Sequence, residues 1–473
     1  MLIRLVNTLL VDLLKKASTL VFWREHMAAE AAGWVAMEFE GMDLGDERLN
    51  RRAVKLTEKL AAKPMASIPA ACGGWGETAA AYRFLSQEEM SWQDIMQPHW
   101  QQTQERMAAH AVVLCLQDTT ELDFNGQEIA GLGPLSYEAQ RGMYLHPTYA
   151  VTPEREPLGL LDAWMWARNF KDGESERAQV GESARWIEGY ERVAERAAQL
   201  PNTRLVYVAD RESDIIALML RAQDLGNPAD WLVRAQHNRA LPDGGKLWER
   251  LSSGTALGEV AFTLSARRGQ AARQVRQAIW VERVTLRDPH SGRKIEVTGL
   301  VAREIAPPAG VAPLEWRLLT NRPVAGLDEA RTLIDWYRAR WEIELYFHVL
   351  KNGCRVEALQ LARVERVERA LALYMVVAWR IAFLMRMGRN CPDLDAALFF
   401  EHDEWRGAYI LNGKKPPAAP PRLNDVIRLI ARLGGFLGRK GDGEPGVKTI
   451  WLGLQRVTDF AAGLRHAREL GEL

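Results

Sequence analysis

"HAVVLCLQDTTELDF", residues His110 to Phe124, changes the grammar of the chain. The text before it is helical. Here an unbroken apolar run, Ala111 to Leu116, ends in the polar cluster Gln117, Asp118, Thr119 and Thr120. An uninterrupted apolar run reads as a strand covered on both faces, so Asp118 stands at a strand's carboxyl end. "RLVYVADRESDIIALMLRAQ", Arg204 to Gln223, repeats the arrangement: a buried strand that ends in Asp210 and opens straight into a helix. Between the two, "GMYLHPTYAV" and "PLGLLDAWMWAR" read as strands joined by the turn "TPERE", and a charged helix runs from about Glu174 to Gln199. Three strands, a helix, a fourth strand and a later helix make an α/β plan. If the first and fourth strands lie side by side and parallel, both carboxylates reach one sheet edge, where α/β sheets commonly bind ligands.

Outward from this core the chain divides readily. Residues 33–107 read as a helical domain, with Asp43 or Asp46 as the N-cap of "ERLNRRAVKLTEKLAAK", an apolar row at Leu49, Ala53, Leu56 and Leu60, and a second helix at "ETAAAYRFLSQ". "DWLVRAQHNRAL" is strand-like, and from about Pro242 to Val324 the text is mostly β with Gly and Pro turns. Helices follow at "IDWYRARWEIELYFHVLKNG" (Ile334 to Gly353) and "RVERALALYMVVAWRIAFLMRMG". "GKKPPAAPPRLN" then links to a helical end. The expected domains are 33–107, 108–385 with a β insertion at about 240–322, and 386–473, after a leader of 1–32. The first 26 residues resemble a targeting segment superficially, but Asp12, Lys15 and Lys16 interrupt their short apolar run, and they read as an amphipathic helix or an overextended start before Met27.

At 473 residues the chain holds several domains, and 47% hydrophobic with 26% charged residues excludes disorder and collagen-like repeats. Lys plus Arg balances Asp plus Glu at 61 each, so no net field announces a polyanionic partner. The cations are nevertheless segregated, in Glu47 to Lys63, Ala266 to Arg276 and Leu437 to Gly441, where a solvated face is the bland alternative. Cys72, Cys115, Cys354 and Cys391 form no CxxC pair, which points to a reduced, cytosolic compartment.

The later helix carries the second half of the chemistry. At about 100° per residue, Tyr337, Arg340, Glu344 and Lys351 fall at roughly 0°, 300°, 340° and 320° on one continuous helix, with Ile334, Trp341 and Leu345 on a neighbouring apolar arc. Glu344 could join Asp118 and Asp210. Three carboxylates without histidine or thiolate suit Mg²⁺ or Mn²⁺, and two such ions would serve an in-line phosphoryl displacement. Tyr337, Arg340 and Lys351 then fit as phosphate ligands. Alone, each signal has an ordinary reading: an Asp after a strand caps a turn, and Arg340 with Glu344 is an i, i+4 helix pair.

The spacing Y-(2)-R-(3)-E-(6)-K of Tyr337, Arg340, Glu344 and Lys351 resembles the signature of the bacterial DDE transposases named after insertion sequence four, in the branch of the transposon five enzyme. The resemblance runs from about Trp34 to Leu464 through "DLGDERLNRRAVKL", "AAAYRF", "QDTTELDF", "ADRESDI", "LVRAQHNR", "PLEWRLLTNRPV", "IARLGGFLGRK" and "KTIWLGLQR". It implies a ribonuclease-H-like catalytic core with a β-strand insertion, flanked by helical N- and C-terminal domains. It also implies that Asp118, Asp210 and Glu344 are catalytic metal ligands for two Mg²⁺ or Mn²⁺ ions. Tyr337, Arg340 and Lys351 would hold phosphate, assisted by Arg211, Arg234, His237 and Arg239. Trp316 would stack on a flipped base. Arg48, Arg52 and Arg83 would grip the transposon end. Leu49 stands where the relative has a second consecutive arginine and Gln236 where it has a lysine, so a different end sequence is expected.

The implied function is cut-and-paste transposition by a homodimer acting on double-stranded DNA, in the bacterial cytoplasm at the nucleoid, with no membrane partner. The competitors are a nuclease or resolvase on the same fold, and a catalytically inactive DNA-binding derivative or inhibitor of transposition. A lost carboxylate would favour the inactive form, and all three are present.

Overall fold

The computed structural model describes residues 33–137, 139–168, 175–264 and 272–472. The leader 1–32 and most of the basic stretch Ala266 to Arg276 lie outside the described residues. The described chain opens with helices α1 (Trp34–Glu38), α2 (Glu47–Ala62), α3 (Ile68–Cys72), α4 (Trp75–Leu85) and α5 (Trp92–Ala108). Strands β1 (Val112–Gln117), β2 (Thr120–Asp123), β3 (Arg141–Val151) and β4 (Pro157–Trp166) follow, then α6 (Ser175–Gln199), β5 (Arg204–Ala209), α7 (Ile216–Asp224) and β6 (Asp230–Arg234). Next come α8 (Leu247–Ser253), β7 (Gly258–Leu264), β8 (Arg273–Arg287), β9 (Lys294–Glu304) and β10 (Glu315–Thr320). The chain closes with α9 (Leu327–Ala339), α10 (Trp341–His348), α11 (Val364–Asn390), α12 (His402–Leu411), α13 (Leu423–Leu433) and α14 (Val447–Glu469).

Contacts divide the chain into two compact units. Among the described residues, one gathers those within 111–118 and 175–343, the other those within 33–110, 119–168 and 344–472. In the first unit, β1 and β5 pair in parallel, as do β5 and β6. Their Val and Leu side chains are almost all buried, as expected for strands covered on both faces. The tyrosines there find backbone partners: Tyr190 on α6 donates to Ala229 O at 2.8 Å and Tyr207 on β5 to Trp186 O at 3.2 Å. β10 pairs antiparallel with β6, and β9, β8 and β7 continue the sheet by antiparallel pairing. The expected insertion is therefore not wholly separate from the core sheet, because its last strand, β10, is hydrogen-bonded to β6. It also contains α8, a short helix that the β-rich text around it concealed.

The second unit is helical around the antiparallel strands β2, β3 and β4. The segment after Asp118, read in the sequence only as the polar end of the first strand, becomes β2 with Leu122 buried. Helix α11 is long and apolar enough to cross a membrane, but 94% of its most apolar window is buried inside the protein, where it is a core helix. Arg369 satisfies the carbonyls of Met90 and Leu85, and Arg380 that of Phe399.

A buried ionic cluster ties α1, α5 and β4 together. Glu38 accepts Arg106 through both carboxylate oxygens at 2.9 Å and meets His99 Nδ1 at 2.5 Å. Leu160 N donates to His99 Nε2, so His99 is neutral with its proton on Nδ1 facing Glu38. Burial pushes the Glu38 carboxyl upward, but Arg106 and His99 outweigh it and hold the group down at about 2. A carboxylate whose folded pKa is depressed stabilises the fold above its unfolded pKa of about 4.5, and that contribution fades as pH falls toward 2. Glu38→Gln is expected to lower unfolding stability by about 3–5 kcal/mol at pH 7, since it strands Arg106 as a buried charge. In urea unfolding from pH 7 downward, the gap between wild type and variant should narrow below pH 4.5; a gap independent of pH contradicts the assignment.

Candidate active site

Register decides what the strand ends do. Gln117 on β1 stands opposite Ala209 on β5, so Asp118 and Asp210 leave neighbouring parallel strands at the same edge of the sheet. Asp210 caps the single 3₁₀ turn Arg211–Ser213, its Oδ1 accepting from Glu212 N at 2.9 Å. Asp118 meets Arg340, whose Nη1 lies 2.6 Å from Asp118 Oδ2; these side chains are 15% and 10% exposed. Arg340 sits in the one-residue break between α9 and α10. Burial lowers its basicity, yet the Asp118 carboxylate, through its charge and its hydrogen bond, and the charge of Asp210 overcome this and raise it, so it remains a guanidinium cation.

Tyr337, one turn earlier and buried, is surrounded by the same groups. Burial is the largest influence on its phenol and drives its pKa up. Asp210 adds to that, while Arg340 and Arg234 oppose it, so the hydroxyl keeps its proton and can donate. The structure thus gathers Asp118, Asp210, Arg234, Tyr337 and Arg340 within one unit.

Arg211, the residue after Asp210, lines a cavity of about 960 Å³ together with Arg234, Gln236, Arg273, Glu315 and Arg317 among others. Cations dominate its polar lining. Trp316 lies between two of these residues on β10 and is half-buried, its indole stacked on Phe262 with ring centres 5.7 Å apart and planes 12° from parallel. The Arg338 guanidinium lies 5.1 Å from the centre of the same Phe262 ring.

Sequence reading missed Asp214, four residues after Asp210. Its side chain is fully buried and accepts from Gln236 N, His237 N and Arg239 Nη1 at 2.8, 2.9 and 2.6 Å. The second aspartate of "ADRESD" was the available signal. Arg239 is committed to this anchor, donating also to Asp214 O, whereas His237 is exposed.

The expected continuous helix from Ile334 to Gly353 is corrected. The chain breaks at Arg340 and finishes in a π-helical turn, Val349–Gly353, so a count of 100° per residue does not carry through to Lys351. Trp341, expected on the apolar arc, is 60% exposed, while Arg340 and Glu342 are buried. Glu344 is half-buried on α10. Lys351 Nζ reaches Glu121 O at 2.7 Å and Glu357 Oε1 at 3.0 Å.

In the N-terminal helices, Asp46 caps α2 and also holds Arg48 through Nη2 at 2.7 Å, with Arg48 82% exposed. Glu77 on α4 receives Arg52 and Lys55, each at 2.8 Å, and Arg83 is exposed.

Three family models match the chain: Transposase DNA-binding over residues 31–90, Transposase DDE domain over 180–380, and Transposase Tn5 dimerisation domain over 376–473. The chain is a Tn5-like DDE transposase. The insertion-sequence-four family is consistent with the DDE match, and that domain implies the ribonuclease-H-like core expected from sequence. The chain is therefore a DNA-cleaving and DNA-transferring enzyme that binds DNA and forms dimers, and its work on DNA places it in the cytoplasm. DDE transposase domains typically use divalent metals. Among the described residues no group of three His, Cys, Asp or Glu side chains stands at metal-holding spacing. The donor chemistry of Asp118 and Asp210 nevertheless suits a hard cation, being oxygen throughout.

Asp214→Ala should leave Arg239 Nη1 and two backbone N–H groups without their carboxylate acceptor, while Arg239 Nη2 keeps Asp214 O. Hydrogen exchange at residues 236–239 is expected to quicken at least tenfold relative to β1, which keeps its own ladder; equal protection in the variant refutes the anchoring role.

Proposed function

We propose that the protein performs cut-and-paste transposition of an insertion sequence, binding its terminal inverted repeats, with Asp118, Asp210 and Glu344 as the catalytic carboxylates. The observation that carries this reading is the shared sheet edge of Asp118 and Asp210, with Arg340 on the Asp118 carboxylate. Asp118, Asp210 and Glu344 would hold two Mg²⁺ or Mn²⁺ ions, which supply activation of an attacking oxygen and stabilisation of a leaving one.

The remaining work falls to the chain's own side chains. Tyr337 keeps its proton and donates to a non-bridging phosphate oxygen. Arg340, held cationic, offers its guanidinium to the same phosphate. Arg211 and Arg234 carry positive charge into the cavity they line and position the strand, with His237, exposed and next in sequence to the lining residue Gln236, assisting them. Lys351 and Arg239 act from their anchored places, orienting the segments that bear them. Trp316 supplies a stacking surface for an extruded base, which offsets part of the unstacking cost. Arg48, Arg52 and Arg83 contact the end of the element through phosphates and base edges.

The reaction sequence is phosphodiester exchange. Water attacks the phosphorus at the element's end, leaving a 3′ hydroxyl and a 5′ phosphate. That hydroxyl attacks the opposite strand, forming a hairpin and releasing flanking DNA, and a second water opens the hairpin. The freed 3′ hydroxyl then attacks target DNA, expelling a target 3′ hydroxyl. One ester bond forms for each that breaks in the exchange steps, so no external energy source is needed. A homodimer would hold two ends at once, consistent with the dimerisation match over 376–473.

The test is cleavage of labelled duplexes made from the DNA bordering the gene, with Mg²⁺, by wild type and Glu344→Gln. Hairpin-ended product from wild type, with a loss of roughly 10³-fold or more in the variant at unchanged DNA affinity, is expected, a barrier increase of about 4 kcal/mol. Specific binding without cleavage by either protein would replace this reading with the inactive DNA-binding derivative.

A further inference from the structure

Trp75 is the most exposed of the described large apolar side chains, at 84%. Isolated exposed apolar residues are common, but an indole forfeits an unusually large burial when left in water. Its setting is specific. Trp75 opens α4 directly after Gly73 and Gly74 and before Gly76, and a side-chain carbon placed at any of these three glycines would meet nothing within 4 Å. The ring therefore stands in a bare approach, open to a large partner. Two residues on, Glu77 binds Arg52 and Lys55 of α2. That helix carries Arg48, Arg51, Arg52, Lys55 and Lys59 against only Glu47 and Glu58, and Arg48, Arg51 and Lys55 are exposed.

An apolar platform at the rim of a cationic helix matches duplex DNA: the cations take phosphates, and the flat ring packs on sugar or on base edges such as the thymine methyl. A second copy of this chain suits the patch less well, because equal positive faces repel, and the dimerisation match lies at 376–473. We propose that Trp75 is a DNA-contacting residue that adds sequence preference, its indole seated in a groove of the bound duplex while α2 holds the backbone. This rests on DNA binding by the segment 31–90 and not on the catalytic reading, so loss of cleavage leaves it intact.

The experiment uses the full chain and a duplex selected by it from a random pool, with a mixed-sequence duplex as control, titrated by anisotropy from 50 to 300 mM salt, a range chosen because phosphate contacts are salt-dependent. Trp75→Ala is expected to weaken the selected duplex about tenfold, leave the control unchanged and keep the salt slope, because no phosphate contact is lost. Trp75→Phe should recover most of the affinity. Arg52→Ala should instead weaken both duplexes and flatten the slope by about one. Thymine-to-uracil replacement through the selected duplex should find a position whose methyl matters to wild type and not to Trp75→Ala. Equal affinity of Trp75→Ala and wild type for the selected duplex overturns the proposal. So does a changed melting temperature or sedimentation profile of that variant, which would assign the ring to the fold or to a second copy.

Discussion

The in-register parallel pairing of β1 with β5 is the constraint on which the site depends. It needs a crossover between the strands, supplied by the long stretch that includes α6, and it brings the residues after Gln117 and Ala209 to a common edge. Two carboxylates so placed repel each other when both are ionised, and partial burial strengthens that repulsion. The Arg340 guanidinium compensates at 2.6 Å from Asp118, and its own basicity rises in return. The break between α9 and α10 is therefore electrostatically connected to the strand ends, and Tyr337 shares the same field.

The strands were legible because burial on both faces leaves an unbroken apolar run, and such a run must end where the chain meets polar surroundings. Asp118 and Asp210 were found by that rule. The helical rule failed on Ile334 to Gly353 for the complementary reason. Residues 336, 337, 339, 340, 342, 343, 346 and 347 are all buried, so the segment is covered on most sides and periodicity has no exposed face against which to be read. Neither the break at Arg340 nor the π turn has a Pro or Gly to announce its start. Asp214 escaped because a buried acid that binds backbone N–H groups of a distant loop looks, in sequence, like any turn residue.

Equal numbers of cations and carboxylates acquire a meaning once the partners are seen. Arg48, Arg52, Lys55, Arg239, Arg340 and Lys351 each hold a carboxylate of their own chain. A polyanion must compete with those carboxylates, and the competition differs by place. The Arg48 pair is exposed and screened, so exchanging its partner costs little. The Arg340 and Arg239 pairs are mostly buried, and separating them without a replacement charge leaves a group uncompensated. Surface arginines can thus exchange partners freely on encounter, whereas the buried ones respond only to a ligand that enters the site and supplies equivalent charge.

The stack of Phe262 on Trp316 poses the same exchange in apolar form. Both rings are half-buried, and Arg338 on α9 lies over Phe262. A base taken onto the face of Trp316 that Phe262 covers would substitute one aromatic contact for another, so the net gain is smaller than the stacking energy of a base on a bare indole. A base on the other face would add to the stack and leave Phe262 undisturbed. In the first arrangement, removing the phenyl ring of Phe262 relieves a competitor and strengthens base capture. In the second it removes support from Trp316 and weakens capture. The sign of that single change distinguishes the two faces, and it follows from ring geometry without reference to the carboxylates.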